Sequence, residues 1–265
     1  MAGQDADAFA FATLRQMVQD RVFTGRDWHL DDLHHHRLRY LADLGLVRQC
    51  APAGEILEIG SAPCHMTALL KLTGRSVVGA DINPARVADL VRNLALDVRQ
   101  CDIEHEPLPL ADASFDCALL CETFEHLRVD PLFVLSEIHR VLKEGAPLIL
   151  TTPNVYSIAS LGRFLVGRSV ADPLEEFGKL RALGHMGHVR EYSAREVSRF
   201  LRGCGFAVES VQFRFHATPG GWKRKLLHLA YRALPRGYGR ELVIIARKTP
   251  GGPSLQPLGA ITDGA

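Results

Sequence analysis

The chain has 265 residues, with 31 Lys and Arg against 30 Asp and Glu, and 47% hydrophobic against 23% charged residues. A formal net charge of +1 argues against a dedicated nucleic-acid binder, which carries a clear basic excess. The length suffices for a core without disulfide or metal staples, and it fits one large α/β domain or two small ones.

In chain order, residues 1–52 read as an N-terminal helical cap, with Leu33, Leu38, Leu41, Leu44 and Val47 at roughly helical spacing. His34, His35 and His36 are consecutive, so a helix points them in three directions; they read as a solvated face, with no metal expected. From Glu55 onward, short apolar runs (EILEI, SVVGA, FDCALL, PLILTT) alternate with amphipathic stretches. That alternation predicts a parallel sheet wrapped by helices. Asn83-Pro84 and Asp130-Pro131 read as N-caps with proline at the first helical position. Leu135, Ile138, Val141 and Leu142 share one side of the second of these helices, which should stop near Gly145. Ser193 and Glu196 form a capping-box pattern. FAVESVQFRF and ELVIIARK then read as two strands without an ordinary crossover helix between them, which predicts an antiparallel edge pair.

The expected fold is therefore α/β: a doubly wound, Rossmann-like, seven-stranded sheet, mostly parallel with an antiparallel C-terminal hairpin. Residues 53–248 would form it, with insertions at 155–190 and 216–240, and a Gly/Pro-rich tail at 249–265 reads as disordered. The six cysteines contain no CxxC pair and no zinc spacing, and read as buried thiols of a reducing compartment. No signal-peptide pattern opens the chain and no apolar run reaches bilayer length, so the expected location is cytoplasmic.

The most informative segment is ILEIGSAPCHMTALL, in which a strand carrying Glu58 turns through Gly60 into a helix. Such a turn offers backbone N–H groups and a helix N-terminus to a ligand. Asp81 follows at the end of the next strand, where an acid can accept ribose hydroxyls, and Asp102 at the next, where it could contact an adenine amino group. Three strand-end carboxylates together point to a nucleoside site.

These motifs resemble class I S-adenosylmethionine-dependent methyltransferases, particularly the group that includes the ubiquinone-biosynthesis type. The family pattern [DE]-x-G-x-G-x-G falls on Glu58, Gly60, Ala62 and Cys64, so the second and third glycines are replaced and Pro63 stiffens the loop. VVGADINP, CDIEHEPLPLADASFDCALLCETFEHL and EIHRVLKEGAPLILTTPN resemble the following segments in order. The resemblance covers about residues 53–154 and 185–247. It implies S-adenosyl-L-methionine as cofactor, held by Glu58, Gly60, Ser61, Ala62, Asp81, Ile82, Asp102, Ile103 and Cys121. The last position of a dinucleotide fingerprint would fall on His65, which disfavours NAD.

For transfer to a hydroxyl, a base near neutral pH is useful, and histidine is the usual choice. Glu122, Glu125 and His126 follow the fourth strand, and His185, His188, Arg190 and Tyr192 lie on a later loop. His126 and His188 are the candidate catalytic residues. His185 and His188 could also join a carboxylate on a metal, although no metal is expected. Within the substrate-lid insertion 155–190, Phe164, Phe177, Glu175 and Glu176 are candidate lining residues, with lid packing the safer reading of the two aromatics. Residues 220–240 carry six Lys and Arg and no acid; they read first as a solvated cover helix, and second as a weak contact for an anionic membrane surface. Without them the remainder of the chain is mildly acidic, which suits a cationic sulfonium nucleoside and not a nucleic acid. The expected activity is methylation of a small molecule, most readily at oxygen. The competing expectations are a non-catalytic binding protein of the same fold and a peripheral-membrane enzyme acting on a quinone or lipid-linked glycan.

Overall fold

A computed structural model describes residues 2–20, 25–183, 187–188, 190–215 and 236–252. Its centre is a seven-stranded sheet in the order β3-β2-β1-β4-β5-β7-β6. The strands are β1 (Glu55–Ile59), β2 (Ser76–Asp81), β3 (Asp97–Gln100), β4 (Cys117–Cys121), β5 (Pro147–Pro153), β6 (Phe206–Arg214) and β7 (Glu241–Lys248). β1 to β5 pair in parallel, whereas β7 runs antiparallel to both β5 and β6. The reversed edge pair is the arrangement expected where no crossover helix fits the sequence between two strands.

Alternation along the central strands divides the core into two layers. Ile56, Cys117 and Leu119 face one side, with α1 (Ala2–Asp20), α2 (Arg26–Cys50) and α3 (His65–Leu72) packed over them. Leu57, Ala118 and Leu120 face the other, beneath α5 (Pro131–Val141) and α8 (Ala194–Gly203). α4 (Ala88–Asn93) joins β2 to β3, and α6 (Ile158–Leu165) and α7 (Pro173–Leu183) follow β5. The N-terminal helices thus share a core with the sheet: Phe11, Leu14, Leu33, Leu44 and Val47 are buried in the same layer as Leu69 and Ile149.

Several local expectations meet a different outcome. Leu38 is 45% exposed and leaves the apolar stripe of α2, because the stripe follows Leu33, Tyr40, Leu44 and Val47. Asn83 does not cap a helix through its side chain; Pro84–Val87 forms a 3₁₀ turn, and the Asn83 N–H instead donates to Asp81 at 2.8 Å. Asp130 does cap α5, accepting from the N–H groups of Leu132 and Phe133, and the Ser193–Glu196 capping box opens α8. Phe164 and Phe177 stay 43% and 58% exposed, so lid packing does not bury them.

Most of the basic stretch 220–240 and residues 253–265 of the tail lie outside the described residues. Thr249 is described, and its N–H donates to Gly205 O at 2.9 Å. Among the described residues no helix is long and apolar enough to cross a membrane.

Candidate active site

The C-terminal ends of β1, β2 and β4 open on one edge of the sheet, and the turn after β1 sets its geometry. Gly60 has φ +69, and a Cβ there would collide with the Thr123 side chain after β4. Only glycine lets these two strand ends approach this closely. Gly60 and Ser61 donate their N–H groups to Ala80 O, which locks the turn against β2.

Two of the predicted acids converge on this turn. Asp81 accepts from the Ala62 N–H at 2.9 Å as well as from Asn83, so one carboxylate fixes both the loop after β1 and the turn after β2. Each carboxylate oxygen keeps a further lone pair for a ribose hydroxyl. Glu58 is 6% exposed and accepts from the Thr67 hydroxyl in α3. Burial, reinforced by the neighbouring Asp81 charge, pushes its carboxyl up to about 8 despite the Thr67 bond. A buried carboxyl in this condition is ready to ionise against an arriving cation.

Asp102 lies two residues beyond β3, half-buried, and accepts from the Glu104 N–H and His105 Nδ1. Ile82 is 56% exposed beside the open edge, whereas Ile103 packs on the core. Cys121 ends β4, and burial pushes its thiol far up, so it contributes shape and not a thiolate. Ser61 is buried with its Oγ 3.9 Å from Cys64 Sγ. Together the glycine turn, the cation-ready Glu58 and the strand-end acids fit a cationic nucleoside.

A second group follows β4 at the same edge. Glu125 is fully buried; its Oε2 accepts from the Thr152 hydroxyl at 3.0 Å, and its Oε1 has no hydrogen-bond partner among the described residues. Burial and the nearby Glu122 push this carboxyl well above the usual range. His126 Nε2 and His188 Nε2 stand 3.9 and 4.0 Å from that oxygen, with the two rings edge-on at 5.2 Å. His126 Nδ1 lies 2.7 Å from Gly187 O, and His188 Nδ1 lies 3.4 Å from Glu191 Oε1. Those oxygens only accept, so each ring carries a proton on Nδ1 and turns its Nε2 towards the group's centre. Gly187 is held in turn by Glu176, which accepts its N–H at 2.6 Å. Glu125, His126 and His188 could hold a divalent ion, their ligand atoms all lying within 4.8 Å of one another.

Other candidates have structural partners. Glu122 pairs with Arg39 from α2 at 3.3 Å and accepts from Thr151. Tyr192 is buried against Phe124, and Arg190 pairs with Glu196 at 2.6 Å. Glu175 meets Lys179 on the surface. His185 lies outside the described residues. Asp32, Tyr40 and His29 reach His65, next to the turn after β1, from α2; isolated polar residues on a helix give no periodic signal of a contact so distant in sequence.

A reversed edge pair on a parallel sheet, a glycine turn into a helix, and acids at the ends of successive strands form the arrangement expected of the class I S-adenosylmethionine-dependent methyltransferase fold. Residues 57–150 match the family described as "Methyltransferase domain". A "Probable S-adenosylmethionine-dependent methyltransferase" of Mycolicibacterium smegmatis is 33% identical over 65% of this chain and 59% of its own length. One from Mycobacterium tuberculosis is 29% identical over 62% and 53%. A ubiquinone biosynthesis O-methyltransferase of Pseudomonas aeruginosa is 30% identical over 56% and 66%. The chain thus spans little more than half the length of the two mycobacterial relatives. Among solved structures, a SAM-dependent methyltransferase from Archaeoglobus fulgidus aligns with TM-score 0.59 at 19% identity, covering 83% of this chain and 99% of that one. At that identity the likeness is one of fold. Residues 57–150 therefore carry a methyltransferase domain, and the fold is that of S-adenosylmethionine-dependent methyltransferases.

Proposed function

We propose that the protein transfers the methyl group of S-adenosylmethionine to a hydroxyl oxygen of a small molecule. The observation that carries this reading is the pair of Nε2 atoms, of His126 and His188, at the same sheet edge as Glu58 and Asp81. Glu58, Gly60, Ser61 and Ala62 would take the methionine end, Asp81 and Ile82 the ribose side, Asp102 and Ile103 the adenine side, and Cys121 the floor beneath. When bound, S-adenosylmethionine supplies an electrophilic methyl carbon on a sulfonium. In that transfer a histidine Nε2, of His126 or His188, would receive the acceptor's hydroxyl proton, while the sulfonium would give up its methyl group to the oxygen and be left as a thioether. The matched ubiquinone biosynthesis O-methyltransferase supports oxygen as the acceptor atom.

Label transfer from methyl-labelled cofactor to a panel of phenols and catechols tests this. His126→Asn and His188→Asn should lower turnover by about 10²-fold or more while leaving affinity for S-adenosylhomocysteine within about threefold. Unchanged turnover in both variants, or transfer only to nitrogen acceptors, would contradict it.

A second reading has its own observation, the Glu125 Oε1, unpartnered among the described residues and facing two imidazole nitrogens. Two imidazoles and one carboxylate suit a zinc-, iron- or manganese-like ion. With bonds of about 2.1 Å, the ligands would close by about half an ångström. Such an ion would bind the acceptor oxygen and lower its pKa. Chelator treatment followed by metal analysis and activity assay separates the readings: loss of activity restored by one divalent ion per chain favours the metal, and full activity in the chelated protein favours histidine alone.

A further inference from the structure

Behind the cofactor-side loop lies a buried polar chain that methyl transfer itself does not use. His65, the first residue of α3, is fully buried, with Nδ1 2.9 Å from Asp32 Oδ2 and 3.3 Å from the Tyr40 hydroxyl. Its Nε2 is 2.8 Å from His29 Nδ1. The Tyr40 hydroxyl also donates to Asp32 Oδ2 at 2.8 Å, and the Trp28 ring meets His29 edge-on at 4.9 Å. Burial works against the Asp32 charge, yet hydrogen bonds from His65 and Tyr40 hold its carboxyl below the ordinary value; burial lowers His29 to about 4. At neutral pH the chain is therefore consistent: His29 Nδ1–H donates to His65 Nε2, and His65 Nδ1–H donates to the Asp32 carboxylate. All three partners of His65 belong to α2.

The residue before His65 is Cys64, whose φ is +63. That left-handed conformation costs an L residue with a Cβ, and it persists only where the surroundings over-determine it. Within the loop, the Cys64 N–H donates to Ser61 O at 2.5 Å. On the other side, Cys64 is joined to His65, which α2 grips through three side chains.

We propose that Asp32, Tyr40 and His29 are positioning residues: by clamping His65, they hold Cys64 in its left-handed conformation and so pre-form the loop Gly60–Cys64. The clamp does for this loop what a glycine at position 64 would do without help. The inference rests on the reading of that loop as the cofactor's methionine-end site.

Glycine adopts this backbone conformation without a Cβ penalty, which separates positioning from mere stabilisation. A clamp that only stabilises the fold would lose as much on removal whether or not Cys64 is replaced. Calorimetric titration with S-adenosylhomocysteine on the wild type, Asp32→Ala, Cys64→Gly and the double variant tests the difference. Asp32→Ala should weaken binding by about tenfold, equivalent to about 1.4 kcal/mol. Cys64→Gly supplies the reference affinity, and the double variant should stay within about threefold of it. A double variant about tenfold weaker than Cys64→Gly, or an Asp32→Ala affinity equal to wild type, would overturn the proposal. Should Asp32→Ala not fold, Tyr40→Phe replaces it in the same cycle, with an expected loss of about threefold that disappears in the Cys64→Gly background; persistence of that loss overturns the clamp. If the wild type does not bind the ligand, the cofactor reading fails, and amide exchange of residues 60–66 decides the clamp alone. Asp32→Ala should then accelerate exchange in the Cys64 chain and not further in the Cys64→Gly chain; equal acceleration in both overturns it.

Discussion

Glu58 shows how a single side chain connects fold, stability and ligand. Its carboxyl is raised from an ordinary 4.5 to about 8 by burial next to Asp81, so the folded ligand-free protein favours the protonated form. The stability it contributes is present below about pH 4.5 and is lost as pH rises towards about 8. The ligand-free protein should therefore melt at a lower temperature at pH 8 than at pH 6, and Glu58→Gln should flatten that difference; a melting curve insensitive to the substitution would contradict it. Glu58, Gly60 and Asp81 were legible in the sequence because a strand end followed by a turn announces itself locally. Asp32 and His29 were not, since α2 meets the loop only through tertiary packing. Glu125 was legible as a candidate, but its burial, which makes its oxygen chemically unusual, was not.

At the scale of elements, local chemistry was readable where side chains act on their own backbone. Asp130 caps α5 through two N–H groups, whereas the Asn83 side chain makes no such bond to the turn that follows it. Asp130→Ala should cost about 1 kcal/mol of stability, measured by denaturant unfolding, while Asn83→Ala should cost much less; equal losses would contradict the distinction. The lid insertion was readable only as an insertion. Its two helices leave Phe164, Leu165, Leu174 and Phe177 exposed, and the residue with a clear link to the site is Glu176, which holds Gly187 and, through its carbonyl, His126. No periodicity announces a bond between a helix side chain and a loop N–H eleven residues away.

For the whole molecule, the mostly parallel sheet and its edge reversal were legible in the spacing of apolar runs, because a parallel pair needs a crossover and an antiparallel pair does not; the order of the strands was not, since it is set by tertiary packing. The sequence did not disclose that the N-terminal helices share a core with the sheet. Phe11 and Leu14 bury against the same layer as Leu69, a contact between segments whose patterns look independent. The nearly neutral net charge conceals carboxyls gathered at one sheet edge, which is where a sulfonium cation would be held. Calorimetric titration of the full chain with S-adenosylhomocysteine tests whether this edge binds S-adenosylmethionine. One site per chain is expected, with affinity lowered about tenfold or more in Asp81→Ala, through loss of hydrogen bonds to a charged group. Absence of binding by the folded wild type, or equal binding by the variant, would contradict it.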